Sequence, residues 1–373
     1  MMNRKRHIKG TVLAVVLCLA AAGSFTFAGD DFLTGKVIHL ESKELSLEKR
    51  LSTGFQTFKK ERKGSQYFTV YMFRCCHQVT IHGCSETSQP YQVGVKFDEI
   101  NVRKKSTKNK SRIATVDNGG ELVGLLFLHK VSRRNSEIMD MQLLDRDNIY
   151  DFQDVPVFWM GEVDTDESVR FLEALFEESR EGLKNTALFT ITMHDSPLSS
   201  AFLKKAATGP HSIEIRKNAV FWIGNNKDAE SMMILKQIYE IEKSAELREH
   251  IVFALHLMET TEAVKQIVRI AKEDASKNVR KQAVFWLGQM ATKECTQALK
   301  DFVEEGEDTE IKIHAVFAIS QLPGEQSVPM LVDIARNNTN PKVKKQAIFW
   351  LGQTDSDEAL KLFEEILLKD KIL

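Results

Sequence analysis

The chain has 373 residues, 43% hydrophobic and 28% charged, with a formal net charge of −1. That is a globular composition, long enough for two domains or for one small domain and a repeat array. It lacks the basic surface that nucleic-acid binding needs, and five cysteines are too few for a disulfide-built scaffold.

Arg4, Lys5, Arg6 and Lys9 precede an apolar run from Thr11 to Ala22, and Thr26-Phe27-Ala28 puts small residues at the −3 and −1 positions of a cleavage site. This is the pattern of a secretory signal peptide over residues 1–28, with Gly29 as the new terminus. An uncleaved anchor is the alternative, although the apolar core is short against the roughly 20 residues of a span. No other segment is apolar enough to cross a membrane. The expectation is therefore an exported protein, periplasmic or extracellular, with no stable membrane insertion after cleavage.

Residues 29–149 read as a small, β-rich, antiparallel domain. Tyr67 to Phe73, Tyr91 to Phe97 and Glu121 to Leu128 are rich in aromatic and β-branched residues and are separated by Gly, Pro and Asn breaks. Ile138 to Leu143 is a last strand or a linker. Cys75, Cys76 and Cys84 lie close to His77 and His82. In an oxidising compartment, a disulfide from Cys75 or Cys76 to Cys84 across a hairpin is the expectation; a zinc, copper or iron site and unpaired core thiols are the alternatives. Arg103, Lys104, Lys105, Lys108, Lys110 and Arg112 form a basic stretch, read as a solvated loop or as a surface for an anionic glycan or lipid.

From residue 150 to the end the pattern becomes helical and repeats. Arg216 to Trp222, Arg248 to Ala254, Arg280 to Trp286, Lys312 to Ala318 and Lys344 to Trp350 align without a gap, each segment 32 residues after the one before. Phe221, Phe253, Phe285, Phe317 and Phe349 fill one column. Phe189 extends it backwards and Phe158 does so one residue out of register, which makes about seven units. Ile215, Leu247, Val279, Ile311 and Val343 are followed four residues later by Ala219, Ile251, Ala283, Ala315 and Ala347, the buried stripe of a first helix. That helix is expected to end near Gly224, Gly288 and Gly352 in a left-handed cap. Asp228, Thr260, Thr292, Gly324 and Ser356 then stand as N-caps of a second helix.

Val279-Arg280, Ala283 and Leu287-Gly288, followed by a second amphipathic helix, resemble the HEAT repeat of the short bacterial PBS-lyase type, and the resemblance covers about 220 residues. The Phe-Trp-aliphatic-Gly signature is also similar to that of exported HEAT proteins with an N-terminal β-rich segment. The resemblance implies a mainly α, armadillo-like superhelical solenoid whose second helices line a concave face, and a role in binding or scaffolding.

Trp222, Trp286 and Trp350 recur every 64 residues, with Ala254 and Ala318 between them; Asn218, Gln282 and Gln346 alternate in phase with His250 and His314. Size compensation, each indole packing as a knob against the next repeat, is one reading. A row of aromatic platforms for a ligand is another, and metal ligation by the histidines a third.

No phosphate loop, dinucleotide fingerprint, zinc-protease helix or nucleophile elbow is present. His194-Asp195-Ser196 holds triad residue types but, as sequence neighbours, reads as a turn before a helix starting at Pro197. Cys295 falls in a column of small residues. The expectation is a non-enzymatic interaction protein without cofactor or metal, holding a protein or peptide partner on the second helices. The residues off the core columns there include Lys236, Glu240, Arg269, Lys272, Lys300, Glu304, Asp333 and Arg336, and the column of Glu240, Lys272, Glu304 and Arg336 alternates in sign. They supply specificity to a partner, or they pair with one another. A metal- or thiol-dependent module in the β domain, with the solenoid as a substrate-holding arm, and a cell-envelope sensor or spacer are the other readings.

Overall fold

The computed structural model describes residues 31–42, 44–61, 64–75, 101–104, 121–144, 148–305 and 308–370. The expected signal peptide, the strand expected at Tyr91–Phe97, Cys76, Cys84 and the basic residues from Lys105 to Arg112 lie outside them. The chain divides between Phe171 and Leu172 into two compact units.

The first unit holds eight strands among the described residues: β1 (Leu33–Thr34), β2 (Val37–His39), β3 (Gln66–Cys75), β4 (Asn101–Lys104), β5 (Glu121–Val131), β6 (Ser136–Leu144), β7 (Asn148–Asp151) and β8 (Val157–Glu162). They form a five-stranded sheet in the order β2-β8-β3-β5-β6 and a three-stranded sheet in the order β1-β7-β4. The central strand β3 is buried from Tyr67 to Phe73, because both of its faces are covered. Phe68, Val70 and Met72 pack in one cluster with Phe32, Tyr150 and Phe152 of the smaller sheet. On the other face Tyr67 meets Phe58 of helix α1 (Leu47–Glu61), ring centroids 4.9 Å apart.

Two expectations are corrected here. The main sheet is mixed, not antiparallel: β8 runs parallel to both β2 and β3. A boundary at residue 149 would also cut through paired strands, since β7 and β8 belong to the sheets. Phe158, aligned above with the helical repeats, and its neighbour Trp159 lie buried in β8, where the indole Nε1 donates to Glu41 Oε2 at 2.7 Å. Pro156 has no N–H to give a helix and disfavours helical backbone at the residue before it; its carbonyl accepts from Phe68 N at 2.9 Å.

The unit boundary falls within helix α2 (Thr165–Glu178). Beyond it, six helix pairs follow among the described residues: α3 (Glu181–Thr192) with α4 (Pro197–Thr208), α5 (Ile213–Asn226) with α6 (Ala229–Ile241), α7 (Ala245–Met258) with α8 (Thr261–Glu273), α9 (Lys277–Met290) with α10 (Lys293–Glu304), α11 (Thr309–Ser320) with α12 (Gly324–Asn337), and α13 (Pro341–Leu351) with α14 (Asp357–Asp370). Of the seven expected units, the first is thus a strand and a single helix. The fold is the expected one, a mainly α, HEAT-like α-α solenoid preceded by a small β region. None of the described helices is long and apolar enough to cross a membrane.

The 32-residue period recurs in the contacts. First helices pack on first helices and second helices on second helices, so the solenoid has two layers. Second helices are capped as read at four of the five positions: Asp228, Thr260 and Thr292 accept from the N–H three residues on, at 2.6, 3.1 and 3.3 Å, and Ser356 from Glu358 N at 3.2 Å, whereas Gly324 is the first residue of α12 and Pro323 precedes it. First helices carry a cap column that the sequence reading missed, with Ser212, Ser244, Asp308 and Asn340 accepting from the first turn. Arg216, Arg248, Arg280, Lys312 and Lys344 each donate to a carbonyl at or just past the end of the preceding second helix, where a cation suits the helix dipole.

Gly224 and Gly288 are not left-handed caps. Both lie inside their helices, and the left-handed residues are Lys227, Glu259 and Ala291. The glycines are needed for close approach instead. A Cβ on Gly224 would lie 2.5 Å from the carbonyl oxygen of Ala254, and one on Gly288 2.8 Å from that of Ala318. The alternation of Trp with Ala follows from this contact, because the Ala-bearing helix seats its backbone against the glycine of the Trp-bearing one.

Candidate interaction surface

The second helices bury Leu235, Ile238, Ile267, Ile270 and Leu299 and turn the intervening positions outward. Between α6 and α8 these positions line a cleft of about 450 Å³ formed by Lys236, Gln237, Glu240, Glu262, Lys265, Gln266 and Arg269. Beside it lies a second cleft, about 530 Å³, lined by Lys227, Asp228, Met232, Met233, Met258 and Thr260 among others. Three of the eight sequence-selected residues, Lys236, Glu240 and Arg269, therefore come together. Lys272 lies apart, its Nζ 6.0 Å from the Phe302 ring centroid. Asp333 accepts from Asn337 Nδ2 at 2.7 Å within its own helix.

The charges of this face are paired within the protein. Arg269 binds Glu240, Lys236 Nζ reaches Glu262 Oε1 at 2.9 Å, Arg336 Nη2 reaches Glu365 Oε1 at 2.9 Å, and Lys300 lies 3.7 Å from Glu304 on the same helix. Lys236 holds the Glu262 carboxyl below its ordinary range, and Glu240 holds the Arg269 guanidinium above its own. Arg269 and Arg336 reach partners 29 positions away, so rungs of one sequence column do not meet. All these pairs are well exposed, so solvent and salt screen them strongly.

Sequence reasoning missed the methionines. Met232 and Met258 are buried and Met233 is 52% exposed. The signal was there: the column of Met233 continues as Lys265, Gln297, Pro329 and Lys361, so an exposed apolar side chain breaks a column without one elsewhere in the second helices. Methionine adapts its shape to a partner more readily than branched side chains do.

The cysteines and histidines offer less. Cys75 is buried in β3; Cys84, its expected partner, and Cys76, the alternative to Cys75, lie outside the described residues. Cys295 is a fully buried thiol, pushed up in pKa by that burial. His194 is buried, its Nδ1 donates to Thr190 O at 2.9 Å, and its pKa is pushed down to about 4 by desolvation; Ser196 caps α4. Among the described residues no three His, Cys, Asp or Glu side chains are placed to hold a metal ion.

The period, the two layers and the cap columns define a repeat, and a family model described as HEAT repeats matches residues 232–320, 264–339 and 296–372. The C-terminal helix pairs are HEAT repeats. Solved structures similar to the chain include human deoxyhypusine hydroxylase in complex with glycerol (15% identical, covering 54% of this chain and 90% of that one, TM-score 0.24), YibA of Escherichia coli (17%, 55% and 76%, TM-score 0.33) and the complex of CpcE and CpcF of phycocyanin lyase from Nostoc (15%, 57% and 95%, TM-score 0.30). No curated protein matches the chain. In these HEAT repeats the second-helix layer is mixed in charge and self-paired, with one methionine-lined cleft.

Proposed function

We propose that the HEAT-like solenoid is a non-enzymatic interaction module that takes a protein or peptide segment on its second helices, in the paired clefts between α6 and α8. The supporting observation is the exposed Met233 beside buried Met232 and Met258, rimmed by the Lys236–Glu262 and Arg269–Glu240 pairs. An apolar anchor enters among the methionines, and the rim charges select register more than they add affinity. Pull-down from the envelope fraction with the full mature chain, compared with Met233→Glu, tests this. Partners retained by the wild type and lost by the variant, with an unchanged helical circular dichroism spectrum, support the cleft; equal retention moves the site elsewhere.

Export through residues 1–28 belongs to the same reading. N-terminal sequencing of the protein from a fractionated cell should begin at Gly29, and a retained Met1 in the membrane fraction would replace the signal peptide with an anchor.

A further inference from the structure

The first-helix layer carries a different surface. Phe221, Trp222, Phe253, Phe285, Trp286 and Phe317 are all half-buried rather than fully packed away. Their rings form one ladder in which no step exceeds 6.3 Å. Phe221 and Phe253 stand 6.2 Å apart with ring planes 18° from parallel, and Phe285 and Phe317 stand 6.3 Å apart at 12°. Trp286 joins the two pairs, 5.0 Å from Phe253 and 5.0 Å from Phe285.

Two of the columns beside the ladder are almost free of charge, and a third, one turn before the phenylalanines, reads Lys217, Glu249, Lys281, Ile313 and Lys345. One turn to one side the column reads Asn218, His250, Gln282, His314 and Gln346; on the other it reads Asn225, Leu257, Gln289, Gln321 and Gln353. Desolvation pushes His250 and His314 down, so both are uncharged at neutral pH. The nearby lysines are neutralised locally: Lys217 by Glu214 and Glu246, Lys281 by Glu310. The indole N–H groups of Trp286 and Trp350 are buried without a hydrogen-bond partner in the protein.

The geometry points to a second binding face, on the first helices, for an uncharged polypeptide segment in extended conformation. Alternate side chains on one face of an extended chain are about 6.7 Å apart, close to the spacing within each phenylalanine pair, whereas the three-residue turn of a polyproline II helix rises about 9.3 Å. Each pair thus seats two alternate apolar side chains. The flanking amides carry both donors and acceptors, which a peptide backbone needs. This face is separate from the methionine cleft and does not depend on it.

The test uses the full mature chain and the capped peptide acetyl-Ser-Val-Asn-Leu-Ser-Val-Asn-Leu-amide, titrated by calorimetry and tryptophan fluorescence. The same residues reordered into an apolar half and a polar half, a proline-rich octapeptide and cellohexaose are run beside it. The alternating peptide is expected to bind. Affinity should fall about ten-fold or more for the reordered peptide, for Phe253→Ser and for Gln282→Glu, the scale of losing an aromatic hot spot or burying a charge without a partner. Gln282→Glu keeps every ring, so it remains decisive if Phe253→Ser fails to fold. No binding of the alternating peptide, equal binding of the two orders, or indifference to Gln282→Glu overturns the assignment. Tighter binding of the proline-rich peptide or of cellohexaose overturns it in favour of that occupant, and a loss in Met233→Glu returns the peptide to the cleft.

Discussion

Phe158-Trp159 and Phe285-Trp286 are one dipeptide in the two units. In the β unit both side chains are fully buried, and the indole is fixed by Glu41. In the solenoid both are half-buried, and their ring contacts are with other aromatic rings and an imidazole. The residues just before the dipeptide account for the difference. Val279 and Ala283 sit four apart and give a helix its buried stripe, whereas Val155-Pro156-Val157 breaks helical backbone and feeds a strand. The β unit uses each aromatic once, as core; the solenoid repeats it as surface.

Alanine at the two phenylalanines is the strongest way to break that comparison. Phe158→Ala removes a fully buried ring and should cost about 3–5 kcal/mol. Phe285→Ala removes a half-buried one and should cost about 1 kcal/mol, in line with partial burial of an aromatic side chain. Chemical denaturation of each variant measures both, and equal losses would mean that the ladder is core after all. Gly224→Val comes next. Its Cβ would meet backbone rather than a movable side chain, so about 3 kcal/mol is expected, at the upper end of overpacking costs. Hydrogen exchange should show the loss centred on α5 and α7.

A pH effect separates the units in another way. His129 lies buried in β5, its Nε2 2.8 Å from Thr69 Oγ1 and its ring stacked on Tyr67 at 4.5 Å. Desolvation pushes it down to about 3. The unfolded chain therefore takes up the proton first, near pH 6.5, and stability falls as pH drops from there toward the folded value, by about 1.4 kcal/mol per pH unit. At pH 5 the β unit should have lost about 2 kcal/mol from this group. His129→Gln should remove that part of the acid dependence, and melting curves of the variant between pH 7 and 5 check it. An unchanged slope would show that His129 is not the group responsible.

The solenoid was legible because each of its roles is written five times. A single Val-Arg-Ala or Leu-Gly is weak evidence; five gapless copies fix the period, the core columns and the second-helix caps. What repetition did not reveal was geometry. Gly224 and Gly288 were found as a column but given the wrong task, since only coordinates show the Ala254 and Ala318 carbonyls beside them. The β unit offers no such redundancy. Strand β3 was readable from its aromatics, but α1 was not foreseen: it buries Leu47, Arg50, Gly54 and Phe58, a face half polar or featureless in sequence. Arg50 is held there by the carbonyls of Met160 and Glu162, partners more than a hundred residues away that no local pattern announces. The cleft between α6 and α8 was half legible: Lys236, Glu240 and Arg269 were selected, and the methionines beside them were missed.

The smallest expected effect bears directly on that cleft. Arg269 pairs with Glu240 across neighbouring second helices, with the two side chains 41% and 57% exposed. Water and salt screen such a pair, and ordering two long side chains offsets much of the attraction. Arg269→Glu replaces that attraction with a repulsion of similar size in the same solvent, so stability should change by no more than about 1 kcal/mol. The fall should shrink further in 0.5 M salt, where the Debye length is well under the 8 Å of physiological ionic strength. Stability and binding thereby come apart. If the rim charges orient a partner, Arg269→Glu should leave the melting temperature nearly unchanged while it weakens capture by the full chain, and restoring opposite signs in an Arg269→Glu, Glu240→Arg double variant should recover stability without recovering capture. Recovery of both together would mean that the pair acts only as a brace between repeats, and that the methionines alone define the cleft.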